Sequence, residues 1–247
     1  MLNRFSRTEL LLGEENMSKL AQSKIAIFGI GGVGSYVAEG LARCGIGEFI
    51  LIDSDDISLT NINRQIHALE TTIGQKKTLI MKERILAINP QAKVTTIEKL
   101  YTPESNFFNW DDNYTYIVDA VDDVKAKINL IVNANKHNLP IMSSMGTANK
   151  LDPQKFVITD IYKTHTCPLA RIMRKTLKQQ GIKKLKVLYS TEEPFTNYTV
   201  NFKENTSKDN SPASTRKQPL GSISFVPPIA GLMIAGEIVN DICQINR

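Results

Sequence analysis

The sequence predicts an α/β protein built on an open, mostly parallel sheet with helices on both faces. The first observation is a pair of short, β-branched apolar runs, KIAIFGI and EFILIDS, which are typical of strands buried on both sides. The second is the segment between them, where Val33, Val37, Leu41 and Cys44 share one helical stripe. The third is that strand and helix patterns continue to alternate along the chain, as in a doubly wound fold.

The later elements follow in the same order. A helix is expected over 75–88, then strands in KVTTIE and YTYIVDA, a helix over 124–132 and a strand in LPIMSS. The chain adds a strand in KFVITDIY, a helix that begins at Pro168 and stops at Gly181, and a strand in KVLYS. The run FVPPIAGLMIAGEIV carries Glu237 and is short for a membrane span, so we expect a buried C-terminal helix.

Composition favours a cytoplasmic protein with neither a zinc site nor a membrane partner. The net charge of +5 and the pI of about 9.0 are compatible with a polyanionic partner such as RNA, and equally with an ordinary basic surface. Cys44, Cys167 and Cys243 lie far apart and form no C-x-x-C pair, which disfavours disulfides and a cysteine zinc site. The N-terminus is too charged for a signal peptide.

A glycine-rich turn follows the first strand and opens the first crossover helix. It contains Gly29, Gly31, Gly32 and Gly34 in a G-x-G-x-x-G pattern. Such glycines permit a tight turn and let backbone N–H groups approach a phosphate. Asp53 ends the second strand, where a carboxylate can bind a ribose hydroxyl. The pattern predicts a Rossmann-like nucleotide site, without separating NAD from ATP.

The polar residues that follow favour ATP. They are Asp55, Asn61, Asn63, Arg64 and Gln65, then Lys76 and Lys77, and after a later strand Asp119, Asp122 and Asp123. A nicotinamide site needs an apolar slot and little additional charge. An arginine, a lysine and a carboxylate at one sheet edge can instead hold a triphosphate with Mg²⁺ and stabilise charge at an attacked phosphorus. We therefore expect Mg-ATP at the glycine turn.

The motifs GIGGVGS, LIDSDDISLTNINRQ, GQKK and DAVDD resemble those of the adenylating domain shared by ubiquitin-activating enzymes and the molybdopterin- and thiamine-pathway adenylyltransferases. The resemblance implies attack of a substrate carboxylate on the α-phosphate of ATP, giving an acyl-adenylate and pyrophosphate. It places Gly32 under the phosphates and Asp53 on the ribose. Arg64 and Lys77 would neutralise the phosphates, and Asp122 would carry Mg²⁺.

The resemblance also implies a homodimer, because Arg7 matches an arginine that reaches the partner subunit's site in this superfamily. Members that activate sulfur-carrier proteins usually have two C-x-x-C pairs, which this chain lacks. The segments RFSRTELLLG, IYKTHTCPLARIMRKTLKQQGI and KVLYSTEEP instead resemble the tRNA threonylcarbamoyladenosine dehydratase branch. That branch implies adenylation of the threonyl carboxylate of N6-threonylcarbamoyladenosine beside the anticodon, with ring closure that expels AMP. Whether a sulfur-relay protein assists stays open.

On this basis we expect one adenylating domain over 1–247, with a nucleotide-binding core in 1–150. The C-terminal extension, 151–247, would face the substrate. Its stretch 191–219 is rich in Asn, Ser, Thr, Lys and Pro and has little to bury, which predicts a mobile loop.

Two features of the helix after Pro168 have alternative readings. Its basic residues, Arg171, Arg174, Lys175 and Lys178, are expected opposite a buried face made by Leu169, Ile172, Met173 and Leu177. They suit contact with RNA phosphates, and a solvated helix face explains them nearly as well. Cys167, before the helix, is either an acyl acceptor or a small capping residue, and we favour the second. His67, His137 and His165 are expected in surface or core roles.

Three other functions stay open from the sequence. An activator of a ubiquitin-like or sulfur-carrier protein would use the same ATP site on a C-terminal glycine. A non-catalytic nucleotide sensor or RNA-binding module would not need Arg64, Lys77 and Asp122 together. An NAD-dependent oxidoreductase is disfavoured by the NINRQ segment.

Overall fold

In the computed structural model, which describes residues 2–195 and 220–245, seven strands form one sheet. The strands are β1 (Lys24–Phe28), β2 (Glu48–Ile52), β3 (Lys93–Ile97), β4 (Tyr116–Asp119), β5 (Ile141–Ser144), β6 (Phe156–Asp160) and β7 (Lys186–Ser190). Their order is β3-β2-β1-β4-β5-β7-β6, and every neighbouring pair is parallel except β6 with β7. The strands that follow β1 in the chain lie first on one side of it, as β2 and β3, and then on the other side, beginning with β4. This reversal of strand order opens a crevice at the carboxyl ends of the strands.

In the described part of the chain, six α-helices cover the two faces of this sheet. They are α1 (Ser6–Gln22), α2 (Gly34–Arg43), α3 (Lys77–Ile88), α4 (Val124–Lys136), α5 (Pro168–Gln179) and α6 (Val226–Cys243). Alternate side chains of β1 enter different cores: Ile25 and Ile27 pack with α2, α3 and α6, whereas Ala26 and Phe28 pack with α4. Helix α5 packs on the second face, over β7. The predicted α/β, doubly wound, mostly parallel architecture is confirmed.

An aromatic cluster replaces a crossover helix between β3 and β4. The Phe28 ring meets Tyr101 and Phe108 edge-to-face, with centroids 5.0 and 4.9 Å apart. Trp110 stacks in parallel on the same ring at 6.3 Å. The cluster therefore covers the sheet at the carboxyl end of β1. Its packed rings hold Phe28, the residue directly before the glycine turn, in place.

Helix α6 is a core helix, as the sequence predicts. It is long and apolar enough to cross a membrane, but 56% of it is buried inside the protein. It packs closely on α2 because both helices carry glycines at the crossing. A Cβ on Gly231 would lie 2.5 Å from the Val33 carbonyl oxygen, and one on Gly40 would lie 2.8 Å from Ala235 Cβ. The C-terminal helix thus supports the helix that begins at the glycine turn.

The buried face predicted for α5 is wrong at one residue. Ile172 is 51% exposed, so it does not belong to the buried face of α5, which is formed by Ala170, Met173 and Leu177. The prediction failed at Ile172 because α5 packs on the protein through a narrow stripe of side chains.

Of the predicted mobile loop 191–219, only 191–195 lies within the described residues. The start of that segment is attached at Thr191, whose N–H donates to the Lys155 carbonyl at 2.9 Å.

Candidate active site

The glycine turn lies at the carboxyl end of β1, in the crevice between β2 and β4. Gly29 has a φ of +87°, and a Cβ there would be 2.6 Å from the Ala120 carbonyl oxygen. A Cβ on Gly34 would be 1.8 Å from the Gly29 carbonyl oxygen. No other residue fits these two positions, since the turn must fold back on itself against the loop after β4. The turn therefore directs the N-terminus of α2 into the crevice, as phosphate binding requires.

Asp53 joins the glycine turn to the loop after β2. Its Oδ2 accepts the Ile30 N–H at 2.6 Å and its Oδ1 accepts the Asp55 N–H at 2.9 Å. Burial raises the pKa of Asp53, while the charge of Lys77 and the two N–H donors oppose that shift. Each carboxylate oxygen has a further lone pair, so ribose hydroxyls can still donate to this side chain.

Arg64 and Gln65 border the glycines. A Cβ on Gly32 would lie 3.3 Å from Arg64 Cγ, and one on Gly31 would lie 4.0 Å from Gln65 Nε2. The Arg64 guanidinium donates to the Thr60 carbonyl at 2.9 Å. The structure thus brings the NINRQ segment, which follows the second strand in the chain, to the phosphate-binding turn after the first.

Asn61 and Asn63 shape the loop that presents this arginine. Asn61 is buried, and its side-chain oxygen accepts the Ser58 N–H at 3.1 Å. Asn63 accepts a hydrogen bond from the Arg64 guanidinium at 2.8 Å and donates to the Ser222 carbonyl at 3.1 Å. Both asparagines are therefore committed to positioning, and Asn63 also ties the loop to the segment before α6.

Lys77 is the first residue of α3 and is only 6% exposed. Its Nζ lies 2.7 Å from Asp55 Oδ2, and its charge also acts on Asp53. The Asp55 side chain is 62% exposed, so the lysine is anchored while its carboxylate partner can move. A buried ammonium beside the glycine turn is well placed to pair with phosphate oxygens.

Asp122 lies in the loop between β4 and α4, next to the glycine turn. It is exposed, and its side chain has no hydrogen bond or ion pair within 2–195 and 220–245. Its acidic neighbours are engaged: Asp119 is buried in an ion pair with Lys127, and Asp123 caps α4 through the Ala126 N–H at 2.8 Å. Within the described ranges no three His, Cys, Asp or Glu side chains lie close enough to hold a metal. A single free carboxylate beside a phosphate site fits Mg²⁺, which proteins usually bind through one or two carboxylates plus substrate phosphates.

Arg7 is not brought to this crevice. It is exposed in the first turn of α1. That helix starts near the amino ends of β2 and β3, whereas the crevice lies at the carboxyl ends of the strands. There the Arg4 guanidinium donates to the Ile88 carbonyl at 3.2 Å, and the Phe5 ring lies 3.6 Å from where a Gly45 Cβ would be. This chain alone therefore has no contact between Arg7 and the nucleotide site among its described residues.

Helix α5 carries the predicted RNA-contacting residues, and they are not equivalent. Arg171, Lys175 and Lys178 are exposed. Arg174 is half-buried, and its guanidinium donates to the Thr164 carbonyl at 2.8 Å. Arg174 thus holds the turn before α5, which leaves three residues free to meet a polyanion.

Cys167 and His67 are both buried, which is compatible with the structural role favoured for Cys167 and places His67 in the core instead of at the surface. Cys167 is 5% exposed and packs with Ala170 and Met173. Burial and the nearby charges of Lys77 and Arg84 lower the pKa of His67 to about 4. The imidazole is therefore neutral at physiological pH, and it adds no charge beside the phosphate site.

Lys127 was missed by the sequence analysis. It is fully buried and pairs with Asp119 under the loop that carries Asp122. A signal was present in the sequence, because Lys127 stands three residues after Val124 and four before Ile131, on the apolar stripe of α4. A lysine on such a stripe needs a buried partner.

The chain is similar in sequence and in fold to known proteins. The ThiF family model matches residues 5–247. The tRNA threonylcarbamoyladenosine dehydratase of Bacillus subtilis is 43% identical over 245 residues, which cover 99% of this chain and 96% of that protein. Crystal structures of the Escherichia coli tRNA N6-threonylcarbamoyladenosine dehydratase in complex with AMP and with ATP each superpose with a TM-score of 0.82 at 32% identity, covering 98% of this chain and 94% of theirs. The chain belongs to the ThiF family, in the group that contains the tRNA threonylcarbamoyladenosine dehydratases.

Proposed function

We propose that this protein is an ATP-dependent tRNA threonylcarbamoyladenosine dehydratase. It activates the threonyl carboxylate of N6-threonylcarbamoyladenosine beside the anticodon by adenylation, and the side chain then cyclises with loss of water. The observation that carries the proposal is the convergence of Arg64, Lys77 and Asp53 on the glycine turn. The B. subtilis dehydratase, 43% identical over nearly the full length of both chains, supplies the substrate class.

Adenylation needs charge at the phosphates and an oriented nucleotide. The threonyl carboxylate oxygen attacks the α-phosphorus, and the bond to pyrophosphate breaks. The glycine-turn N–H groups and the Arg64 guanidinium stabilise the charge that develops on the phosphate oxygens. Lys77 supplies a second positive charge, and Asp53 orients the ribose. Asp122 would hold Mg²⁺ bound with ATP, and the metal would supply further neutralisation of phosphate charge.

Cyclisation needs no nucleophile from the protein. The carbamoyl group of the same side chain attacks the activated acyl carbon, and AMP leaves with the carboxylate oxygen. Because both reacting groups belong to one nucleoside, holding that side chain in a bent conformation supplies most of the advantage. This agrees with a protein in which Cys167 and His67 are both buried.

The proposal extends to the assembly. Residues 1–150 bind the nucleotide, and 151–247 face the anticodon loop, with the exposed side of α5 meeting RNA phosphates. Two copies form a homodimer in which Arg7 of each reaches the other's site. Mg²⁺ is the metal cofactor, the protein is cytoplasmic, and a sulfur-relay protein is an optional partner.

The deciding experiment is nucleoside mass spectrometry of tRNA, worked up gently enough to preserve a labile ring. Cells with the gene are expected to contain a nucleoside one water lighter than threonylcarbamoyladenosine, and cells without it only the parent nucleoside. Purified protein with modified tRNA and Mg-ATP should give the same product together with AMP and pyrophosphate. Pyrophosphate exchange that depends on a carrier protein and not on RNA would instead establish the alternative, an activator of a ubiquitin-like or sulfur-carrier protein.

A further inference from the structure

A buried ion pair lies beneath the loop that carries Asp122. Lys127, in the first turn of α4, and Asp119, the last residue of β4, are both 0% exposed. The Lys127 Nζ lies 3.0 Å from Asp119 Oδ1, and the Ser143 hydroxyl on β5 donates to Asp119 Oδ2. A buried ion pair contributes little net stability compared with apolar side chains of similar volume. Its presence at this position therefore points to a role in holding the loop.

Lys127 and Asp119 also form hydrogen bonds with Val121, in the middle of the loop between β4 and α4. The Lys127 ammonium also donates to the Val121 carbonyl at 3.0 Å, and Asp119 Oδ1 accepts the Val121 N–H at 3.3 Å. Both polar groups of the Val121 backbone are thus bound to the ion pair. The peptide directly before Asp122 has its orientation set by buried charges.

The loop is also held at its two ends. At the start, the Ala120 N–H donates to the Phe28 carbonyl at 2.9 Å, and the loop contacts Gly29 so closely that no Cβ fits between them. At the end, the Asp123 carboxylate caps α4. Asp122 and Asp123 are both exposed, but only Asp122 has a side chain without a hydrogen-bond partner among the described residues, so its carboxylate is the one available at this fixed loop beside the glycine turn.

We propose that Lys127, Asp119 and Ser143 form a positioning unit that holds the Asp122 carboxylate toward the Mg²⁺ of bound ATP. The inference rests on the proposed function, because it requires ATP at the glycine turn. Lys127 neutralises Asp119, so the buried acid neither repels Asp122 nor competes for the metal. Because the loop is already ordered, metal binding does not have to order it. The unit therefore strengthens the Mg²⁺-dependent part of ATP binding and leaves the phosphate contacts of Arg64 and Lys77 unchanged.

The test measures binding, not turnover. Calorimetry gives the Kd of α,β-methylene ATP with Mg²⁺ and with a chelator, and the ratio of the two values is the Mg²⁺ coupling. The double variant Lys127→Gln/Asp119→Asn keeps side-chain size and hydrogen-bonding capacity without burying a charge. In it the coupling is expected to fall by roughly 10-fold, the typical cost of losing a partner that orients a metal ligand. The Kd measured in chelator should stay within about 2-fold of the wild-type value, since the phosphate contacts are intact.

Two further variants complete the design. Lys125→Gln, on the exposed side of the same helical turn, removes the same charge without touching the buried pair, and its coupling should equal that of the wild type. Ser143→Ala removes one hydrogen bond to Asp119 and should lower the coupling by about 3-fold. Circular dichroism and Tm establish that each variant is folded.

The inference is overturned if the folded double variant has wild-type Mg²⁺ coupling. If that variant does not fold, unchanged coupling in Ser143→Ala overturns it equally. Wild-type protein that binds no ATP would overturn the proposed function, and the inference with it, whereas wild-type protein with normal coupling and an insensitive double variant would overturn the inference alone.

Discussion

Single residues around the glycine turn differ in how firmly they are held. Lys77 is buried and paired with an exposed carboxylate on Asp55. Arg64 is half-buried, and its guanidinium is oriented by the Thr60 carbonyl and the Asn63 side chain. Both charges are thus preorganised before ATP arrives, so little reorganisation is needed during the reaction. Each residue is expected to contribute to the chemical step and not only to binding.

Arg64→Ala and Lys77→Ala should each lower adenylation by roughly 10²-fold or more, because each removes a preorganised charge from the phosphates. The measurement is ATP–pyrophosphate exchange in the presence of tRNA that carries threonylcarbamoyladenosine. Lys82→Ala, further along α3, is the matched control and should exchange at the wild-type rate. Near-wild-type exchange in either site variant would refute the roles given to Arg64 and Lys77.

Cys167→Ser should keep most of the dehydratase activity. The cysteine is 5% exposed and packs under α5, and ring closure within the nucleoside leaves no step for a protein thiol. The expected effect is a small loss of stability, about 1 kcal/mol, because a hydroxyl replaces a thiol in an apolar site. Product formation is measured by nucleoside mass spectrometry. Capture of a hydroxylamine-sensitive intermediate linked to Cys167 would contradict both the structural role and the reaction as written.

At the scale of elements, the N-terminal end of α2 depends on close backbone packing. A Cβ on Gly34 would meet the Gly29 carbonyl oxygen at 1.8 Å, which no rotamer relieves. Gly236 lies on the exposed side of α6, and a Cβ added there would meet no described atom within 4 Å apart from the adjoining backbone of its own helix. Gly34 therefore cannot be replaced by a residue with a side chain, whereas Gly236 has room for one.

Gly34→Ala is expected to displace the glycine turn and abolish ATP binding, with a loss of stability of several kcal/mol, on the order of the larger steric penalties known for single substitutions. Gly236→Ala should stabilise the protein by about 0.5–1 kcal/mol, because alanine favours the helix more than glycine does. Urea unfolding and ATP calorimetry measure both effects. Wild-type ATP affinity in a folded Gly34→Ala protein would contradict this account.

The four basic residues of helix α5 have two different roles. Arg174 is held by hydrogen bonds to Thr164, whereas the other three are exposed. Changing Arg171, Lys175 and Lys178 together to alanine should weaken tRNA binding and flatten its salt dependence, by about 0.7–0.9 in log–log slope for each phosphate that is no longer neutralised. Arg174→Ala should instead lower Tm, because it removes the hydrogen bonds to Thr164. Equal salt slopes for the triple variant and the wild type would contradict RNA contact at this helix.

On the scale of the whole molecule, the candidate active site and Arg7 lie at opposite ends of the strands of the sheet. The crevice forms at the carboxyl ends of the strands, whereas α1 begins near Glu48 and Lys93, at the amino ends of β2 and β3. Among the described residues of a single chain, Arg7 therefore makes no contact with the glycine turn. In the proposed dimer the second copy would supply Arg7, so the complete site would be a property of the assembly.

Mixing Arg7→Ala protein with Asp122→Ala protein tests this arrangement. Each parent alone has two defective sites and should be nearly inactive. A heterodimer regains one site with both residues intact, so the mixture should exceed either parent in dehydratase activity after subunit exchange. A mixture no more active than its parents, under conditions where exchange is demonstrated, would exclude a role for Arg7 in the opposite site.

The sequence by itself determined the α/β class, the order of the strands and of helices α2 to α6, and the glycine-rich turn after β1, but it gave no prediction of α1. These follow from local patterns, since apolar runs, helical stripes and the G-x-G-x-x-G spacing each reflect the backbone conformation of a few neighbouring residues. It also placed Arg64, Lys77 and Asp122 at one sheet edge, because parallel strands bring the residues that follow them to the same side.

Only the tertiary structure decided how those side chains are held. The pairing of Lys127 with Asp119 and Ser143, and the hydrogen bond of Asn63 to Ser222, join segments whose separation along the chain carries no local pattern. The same applies to α5, where the exposure of Ile172 and the anchoring of Arg174 depend on which stripe of the helix meets the sheet. Periodicity gives the existence of an apolar face, and its width and partners are set by packing against elements distant in sequence.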